Sequence, residues 1–282
     1  MAMELRIEGL KKAFGDKQVL KGASFTFQRG RMYGLLGRNG AGKTTLMNCL
    51  SGELSADDGT AQLTGPDGSL QPLREEDVGY VLSTPVVPEF LTAREFLQFF
   101  LEINRGKIPY PKAPDVYLDY MCIDPADRGK LLKDFSHGMK NKMQMLATII
   151  ASPDIILLDE PLTSLDVVAA HEMKEMLMDM KKDHIIIFST HILQLAKDLC
   201  DEIVLLHGGN LSGVPEEIYH SVDFEEKLMQ MLSDESETKV DDIESFNKTY
   251  IGGEVDENAC VGVNTQPDVQ ASDRDYDPYD YD

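Results

Sequence analysis

The sequence predicts an α/β fold with a parallel sheet at its core, and three observations carry that expectation. Through the second half of the chain, strand-length apolar runs alternate with helical patterns: a helix from about His137 to Ala151, a strand at Ile155 to Leu158, a helix from Asp166 to Met180 and a strand at Ile185 to Phe188. The run Met32 to Leu36 feeds directly into a glycine-rich loop, and a helical pattern opens behind that loop. The run Ile155 to Leu158 ends in the acidic pair Asp159-Glu160, and the carboxyl ends of strands are where open α/β sheets place their chemistry.

The remaining elements follow in order. Strands are expected near Leu5 to Ile7 and Val19 to Phe27, and the helix from Lys43 should stop around Gly52. Residues Gly59 to Tyr80 are turn-rich and contain Pro66-Asp67-Gly68, which suggests short antiparallel strands or a hairpin. Thr92-Ala93-Arg94-Glu95 reads as a capping box that opens a helix through Leu101, with Pro-punctuated helical pieces to about Asp127. Pro215 to Leu232 suits a short amphipathic helix, and from 233 to 282 low hydrophobicity and acidic repetition predict a disordered tail. Two readings of that tail stay open: a solubility segment, or a docking segment for a basic partner with tyrosines as anchors.

With 282 residues, 42% of them hydrophobic, the chain can bury one sizeable core and still carry a subdomain or tail. It has no run of about 20 apolar residues, so no membrane-spanning helix is expected. Its start, MAMELRIEGLKK, is charged from Glu4 onward and lacks the apolar block of a signal peptide, which points to the cytosol. The net charge of -22 is uneven: from Ser221 onward 18 acidic and 4 basic residues give -14. Cys49, Cys122, Cys200 and Cys260 show neither CxxC nor metal-ligand spacing, and reduced, isolated thiols are expected.

The loop Gly37-Arg38-Asn39-Gly40-Ala41-Gly42-Lys43-Thr44, with Thr45 behind it, fits GxxxxGK[ST]. Glycines let such a backbone curl round phosphates, so that N–H groups point inward at the mouth of a helix. Lys43 is placed to reach the β- and γ-phosphates of ATP, and the Thr44 hydroxyl to ligate Mg²⁺. The same chemistry needs an acidic magnesium partner at a strand end, and Asp159 supplies it. Glu160, one residue on, is the candidate to polarise an attacking water.

These residues resemble the nucleotide-binding subunit of ATP-binding-cassette (ABC) transporters, over most of the chain from Met3 to about Gly213. Phe135-Ser136-His137-Gly138-Met139 stands where that family has its LSGGQ signature. Ser164-Leu165-Asp166 matches its D-loop, His191 its switch histidine, and Phe14 the aromatic position that stacks on adenine. The resemblance implies a P-loop NTPase with a RecA-like parallel sheet core, an antiparallel β subdomain and a helical subdomain at about 84–152. The ATPase domain would then span 1–214 and a short helical extension 215–232. It further implies that Ser136, His137 and Gly138 meet the γ-phosphate of ATP held by a second ABC ATPase subunit, homo- or heterodimeric. A multi-helix membrane permease is the other implied partner, and no nucleic acid is.

The sequence departs from the family pattern at two places. Gly79-Tyr80-Val81-Leu82-Ser83 puts a short Ser83 where the family usually has the Gln that contacts magnesium. The signature has His137 for Gly and Met139 for Gln, and His137 reads either as a tolerated helix-start residue or as a pH switch or catalytic group, the first being favoured. The form SHGM resembles the SKGM-type signatures of bacterial drug, peptide and lantibiotic exporters, which implies export. The rival readings are a non-transport ABC ATPase acting with soluble partners and a sensor that binds ATP without turnover. The presence of both Glu160 and His191 argues against the sensor, and the Met-rich run Met173 to Met180 reads as helix packing.

Overall fold

The computed structural model describes residues 3–65, 67–108, 110–161, 167–219, 221 and 223–233. The chain divides into two units, Met1–Glu235 and Ser236–Asp282, and all described residues lie in the first. The expected tail and the expected D-loop residues Ser164, Leu165 and Asp166 lie outside them.

The elements run β1 (Glu4–Phe14), β2 (Lys17–Gln28), β3 (Met32–Leu36), α1 (Lys43–Ser51), β4 (Asp58–Thr64), β5 (Leu70–Pro72), β6 (Val78–Val81), α2 (Ala93–Ile103), α3 (Pro114–Tyr120) and α4 (His137–Ala151). They continue with β7 (Ile155–Asp159), α5 (Val167–Met180), β8 (Ile185–Ser189), α6 (Leu193–Leu199), β9 (Glu202–His207), β10 (Asn210–Gly213), α7 (Glu216–Tyr219) and α8 (Phe224–Ser233).

Two sheets result. One is antiparallel, in the order β2-β1-β4-β5, and the other has six strands in the order β10-β9-β3-β8-β7-β6. In the second, β6, β7, β8, β3 and β9 are all parallel, and only β10 is antiparallel, to β9. The strands β3, β7 and β8 are buried at every residue. That explains why they read as continuous apolar runs rather than alternating ones: a parallel sheet is covered on both faces.

Alternate side chains divide between the two covers. Met32, Val81, Ile156, Leu158, Ile186 and Phe188 enter one core with residues of α2 to α5. Tyr33, Leu35, Ile155, Leu157, Ile185 and Ile187 enter another with Leu46, Met47 and Leu50 of α1 and residues of the antiparallel sheet. A third cluster joins Leu36 and Ala196 to Phe224, Leu228 and Leu232 of α8. Each fully buried aliphatic side chain contributes about 1.5–3 kcal/mol, and the six-stranded sheet supplies such side chains to all three clusters.

The helix start at Thr92 is a true capping box: Glu95 N–H donates to Thr92 Oγ1 at 3.3 Å, and Thr92 N–H donates to Glu95 Oε2 at 2.9 Å. Three expectations need correction. In the turn-rich stretch from Gly59 to Tyr80, β4 and β5 pair antiparallel, but Val78–Val81 joins the other sheet parallel to β7. The single helix expected over 215–232 is two, α7 and α8. Between 193 and 213, where no element was expected, lie α6, β9 and β10.

Candidate functional site

The parallel pairing of β3, β8, β7 and β6 puts their carboxyl ends on one edge of the sheet. Four segments leave from that edge: Gly37 onward from β3, Thr190-His191 from β8, Glu160 from β7 and Leu82-Ser83 from β6. Residues separated by more than a hundred positions in the chain are neighbours there for this reason alone.

Two of the loop glycines are required by geometry. Gly42, the residue before α1, has φ 107, and a Cβ on it would lie 2.6 Å from Val19 Cγ1. A Cβ on Gly37 would lie 2.7 Å from the Leu206 carbonyl oxygen, which is backbone and cannot turn away. Within the loop, Ala41 N–H donates to the Arg38 carbonyl at 3.0 Å, and buried Lys43 donates its Nζ to the Gly37 carbonyl at 2.8 Å. Lys43 thus folds back over its own loop, with its charge held where phosphate oxygens are expected.

Thr44 Oγ1 donates to Asp159 Oδ2 at 3.0 Å, which joins the loop to the end of β7. The other carboxylate oxygen, Oδ1, accepts from Ser189 Oγ at 2.5 Å. Ser189 is fully buried on β8, and its Oγ and carbonyl both accept from Glu160 N–H, at 3.1 and 3.2 Å. Glu160 needs that support, because its φ of 48 is left-handed, a conformation costing a non-glycine residue of order 1–3 kcal/mol. The turn aims its carboxylate at His191, whose Nδ1 lies 3.1 Å from Glu160 Oε1.

The donor set fits magnesium. A hydroxyl and a carboxylate are hard oxygen ligands, and no group of three or more His, Cys, Asp or Glu gathers into a cage among the described residues. That is the pattern of an ion that keeps several waters and shares phosphate oxygens. Beside this edge, Tyr80 on β6 has a buried hydroxyl without a hydrogen-bond partner, and its pKa is raised by burial and by the negative charges of Asp159 and Glu53. It stays protonated beside the carboxylate.

A cavity of about 310 Å³ opens between Gly37, Arg38, Asn39 and His191 on one side and Met229 and Leu232 of α8 on the other. Phe14 is half exposed at the end of β1, with Lys12 Nζ 5.8 Å from its ring centroid. Ser136 is the residue before α4: its Oγ accepts from Met139 N–H at 3.2 Å and its carbonyl from Lys140 N–H at 2.9 Å. Ser136 and His137 are exposed, and the hydrogen bonds of Ser136 stay within its own helix. Ser83 is exposed as well. The structure therefore links Thr44, Asp159, Glu160 and His191 through Ser189, with Lys43 bonded to its own loop next to Thr44, whereas Phe14, Ser83 and the signature residues stand apart from that linked set.

Four residues at this edge carry no local sequence signal of the kind described above. Ser189 closes the apolar strand β8 and Thr190 follows it, both fully buried, and a polar residue closing a buried strand is itself a signal. Asn141 Nδ2 donates to the Pro161 carbonyl at 2.9 Å, and Gln144 reaches the segment after β6.

Fold and site together define a phosphate-loop nucleoside triphosphatase. The chain belongs to the ABC transporter family, whose model matches residues 20–163, and it is an ATP-binding, ATP-hydrolysing subunit of that family. It is 35% identical over 211 residues to an uncharacterized ABC transporter ATP-binding protein of Methanocaldococcus jannaschii, covering 74% of this chain and 76% of that one. It is 32% identical to the Nod factor export ATP-binding protein I of Burkholderia lata, over 87% of this chain and 82% of that protein. A solved structure described as an ATP-binding subunit of an ABC transporter superposes with a TM-score of 0.68 at 26% identity, covering 81% of this chain and 99% of that one. Among the described residues no helix is long and apolar enough to cross a membrane.

Proposed function

We propose that this chain powers a multi-helix membrane permease that exports a drug, peptide or other hydrophobic compound. It would sit on the inner face of the cell membrane through that partner and work as one of a pair of ABC ATPase subunits. One observation carries the catalytic part: the Glu160 carboxylate, paired to His191 at 3.1 Å, stands one residue from the Asp159 carboxylate that holds Thr44 at 3.0 Å. The proposed base and the proposed magnesium partner are thus on adjacent residues at the end of β7.

In the proposed reaction Glu160 orients a water and takes its proton as the water oxygen bonds to the γ-phosphorus. The bond from that phosphorus to the bridging oxygen breaks, leaving ADP and phosphate. Lys43 leaves the Gly37 carbonyl to neutralise the β- and γ-phosphate oxygens, backbone N–H groups of residues 37–45 hold them, and His191 contacts the γ-phosphate. Thr44 and Asp159, with Ser83 on the segment that leaves β6, are the residues that would hold magnesium, which would supply charge neutralisation on the phosphates. Phe14 stacks on the adenine. Ser136, His137 and Gly138 of one subunit present a hydroxyl, amides and a helix N-terminus to the nucleotide of the other. ATP closes the pair, and loss of the γ-phosphate opens it and drives the permease.

The export assignment is supported by the SHGM form of the signature and by the Burkholderia relative named for export. The decisive experiment combines two measurements. Glu160→Gln is expected to abolish hydrolysis while retaining ATP binding, and the native chain should co-purify from membranes with a multi-helix protein. Unchanged turnover in the variant rejects the role of Glu160, and recovery with soluble partners alone rejects the transporter reading.

A further inference from the structure

Helix α4 begins at the signature and runs beneath the ends of two strands, and two buried amide side chains tie it to them. Gln144 Oε1 accepts from Val86 N–H at 2.8 Å, and Gln144 Nε2 donates to the Leu82 carbonyl at 3.3 Å. The two bonds bracket Ser83, Thr84 and Pro85. One turn earlier, Asn141 holds the carbonyl of Pro161, the neighbour of Glu160. Positions three apart lie on one helix face, so a single face of α4 grips both the segment bearing Ser83 and the chain just behind Glu160.

Packing alone does not explain a glutamine at 144. Its neighbours Met143, Met145 and Leu146 are fully buried and apolar, and a methionine of the same length would fill the space. A buried amide is costly unless its polar ends are bonded; both ends of Gln144 are, while Asn141 is bonded through Nδ2 and its buried Oδ1 has no partner. Ser83, Thr84 and the side chain of Val86 are exposed, so burial contributes little to holding the segment at these positions.

We propose that Gln144 is a positioning residue that fixes the Leu82–Val86 segment to the signature helix, so that engagement of ATP at Ser136 and the placement of Ser83 change together. This rests on the roles proposed above for Ser83 and Ser136. Neither residue has to touch the other, because the rigid body between them is α4 itself.

The test uses the full chain and two readouts. In the nucleotide-free protein, hydrogen exchange at the Val86 amide should be about fivefold faster in Gln144→Met, the ratio expected for one lost net hydrogen bond. In Gln144→Glu, which keeps the acceptor for Val86, it should stay near the wild-type rate. In ATP hydrolysis, Gln144→Met should lower kcat about fivefold with KM for ATP changed less than about twofold, and Gln144→Glu, which keeps the bond to Val86 but loses the one to Leu82, should recover only part of the loss.

Unchanged exchange in Gln144→Met overturns the tether, and unchanged kcat with protection lost overturns its catalytic consequence. Should Gln144→Met not fold, Val86→Pro at an exposed position removes the donor of the same bond and carries the same expected loss of kcat. A Glu160→Gln chain that still hydrolyses ATP overturns the site assignment instead, and the exchange result judges the tether independently.

Discussion

Ser189 Oγ donates to Asp159 Oδ1 at 2.5 Å, while the other oxygen of the same carboxylate holds Thr44. Asp159 is thus gripped from both sides, by β8 and by the phosphate loop. Removing the hydroxyl in Ser189→Ala leaves one buried carboxylate oxygen short of a donor and Glu160 N–H short of one of its two acceptors. The expected cost is about 1–3 kcal/mol of stability, read from the urea midpoint. Because Thr44 still holds Oδ2, ATP affinity should change little, while the loosened turn at Glu160 lowers turnover by about tenfold. A variant with wild-type stability and turnover would show that the serine is a bystander.

Gly42 meets two independent constraints, its φ of 107 and the closeness of Val19. Gly42→Ala should therefore weaken ATP binding and destabilise the chain by about 1–3 kcal/mol. Adding Val19→Ala removes the clash but not the dihedral strain, so the double variant should recover only part of the lost nucleotide affinity. Full recovery, measured by nucleotide titration, would assign the whole effect to the side-chain contact.

Much of this site is legible in the sequence because its signals are contiguous. The phosphate loop, the Asp159-Glu160 pair and the helix from His137 to Ala151 each announce themselves within a window of 15 residues or fewer. What stays hidden depends on partners far along the chain. Gln144 acts on residues about 60 positions away, and Ser189 on Asp159, 30 positions away, and neither spacing has a local pattern. Val78–Val81 misleads for the same reason: four residues behind a turn-rich stretch look like the return strand of a hairpin, and only contact with β7 decides otherwise. The runs that became β9 and α6 are short, and α6 is identified by its packing against α8 rather than by its own length.

Ser136 has two separable tasks. As the residue before α4 it accepts from Met139 N–H, and Ser136→Ala should cost about 1 kcal/mol, a fall of about 2–4 °C in Tm for a unit of this size. As the proposed contact to a γ-phosphate across the subunit pair, it should also lower hydrolysis by more than that stability loss explains. Ser136→Asp keeps a cap of the preferred kind but brings a negative charge to the phosphate. It is expected to hold Tm while suppressing turnover and ATP-induced pairing, measured by sedimentation. Turnover that follows Tm in both variants would leave Ser136 as a cap alone.

The helical region between α2 and α4 is pinned by charge. Arg128, 6% exposed, donates to the Ile123 carbonyl at 3.0 and 2.9 Å, to Asp115 Oδ1 at 3.1 Å and to Asp119 Oδ1 at 2.5 Å. Asp115 also takes Arg94, and the hydrogen bonds from Arg94 and then Arg128 hold its carboxyl below the ordinary range. A carboxyl whose pKa is depressed by folding contributes stability that is fully present above its unfolded pKa of about 3.9 and is lost as pH falls through the folded value. The urea midpoints of wild type and Asp115→Asn should therefore differ by a constant amount from pH 7 to about pH 5. That gap should then close progressively below about pH 4 as Asp115 takes up its proton in both folded and unfolded chains. A gap that persists unchanged to pH 3 would mean that the shape of the side chain, and not its charge, holds Arg94 and Arg128 in place.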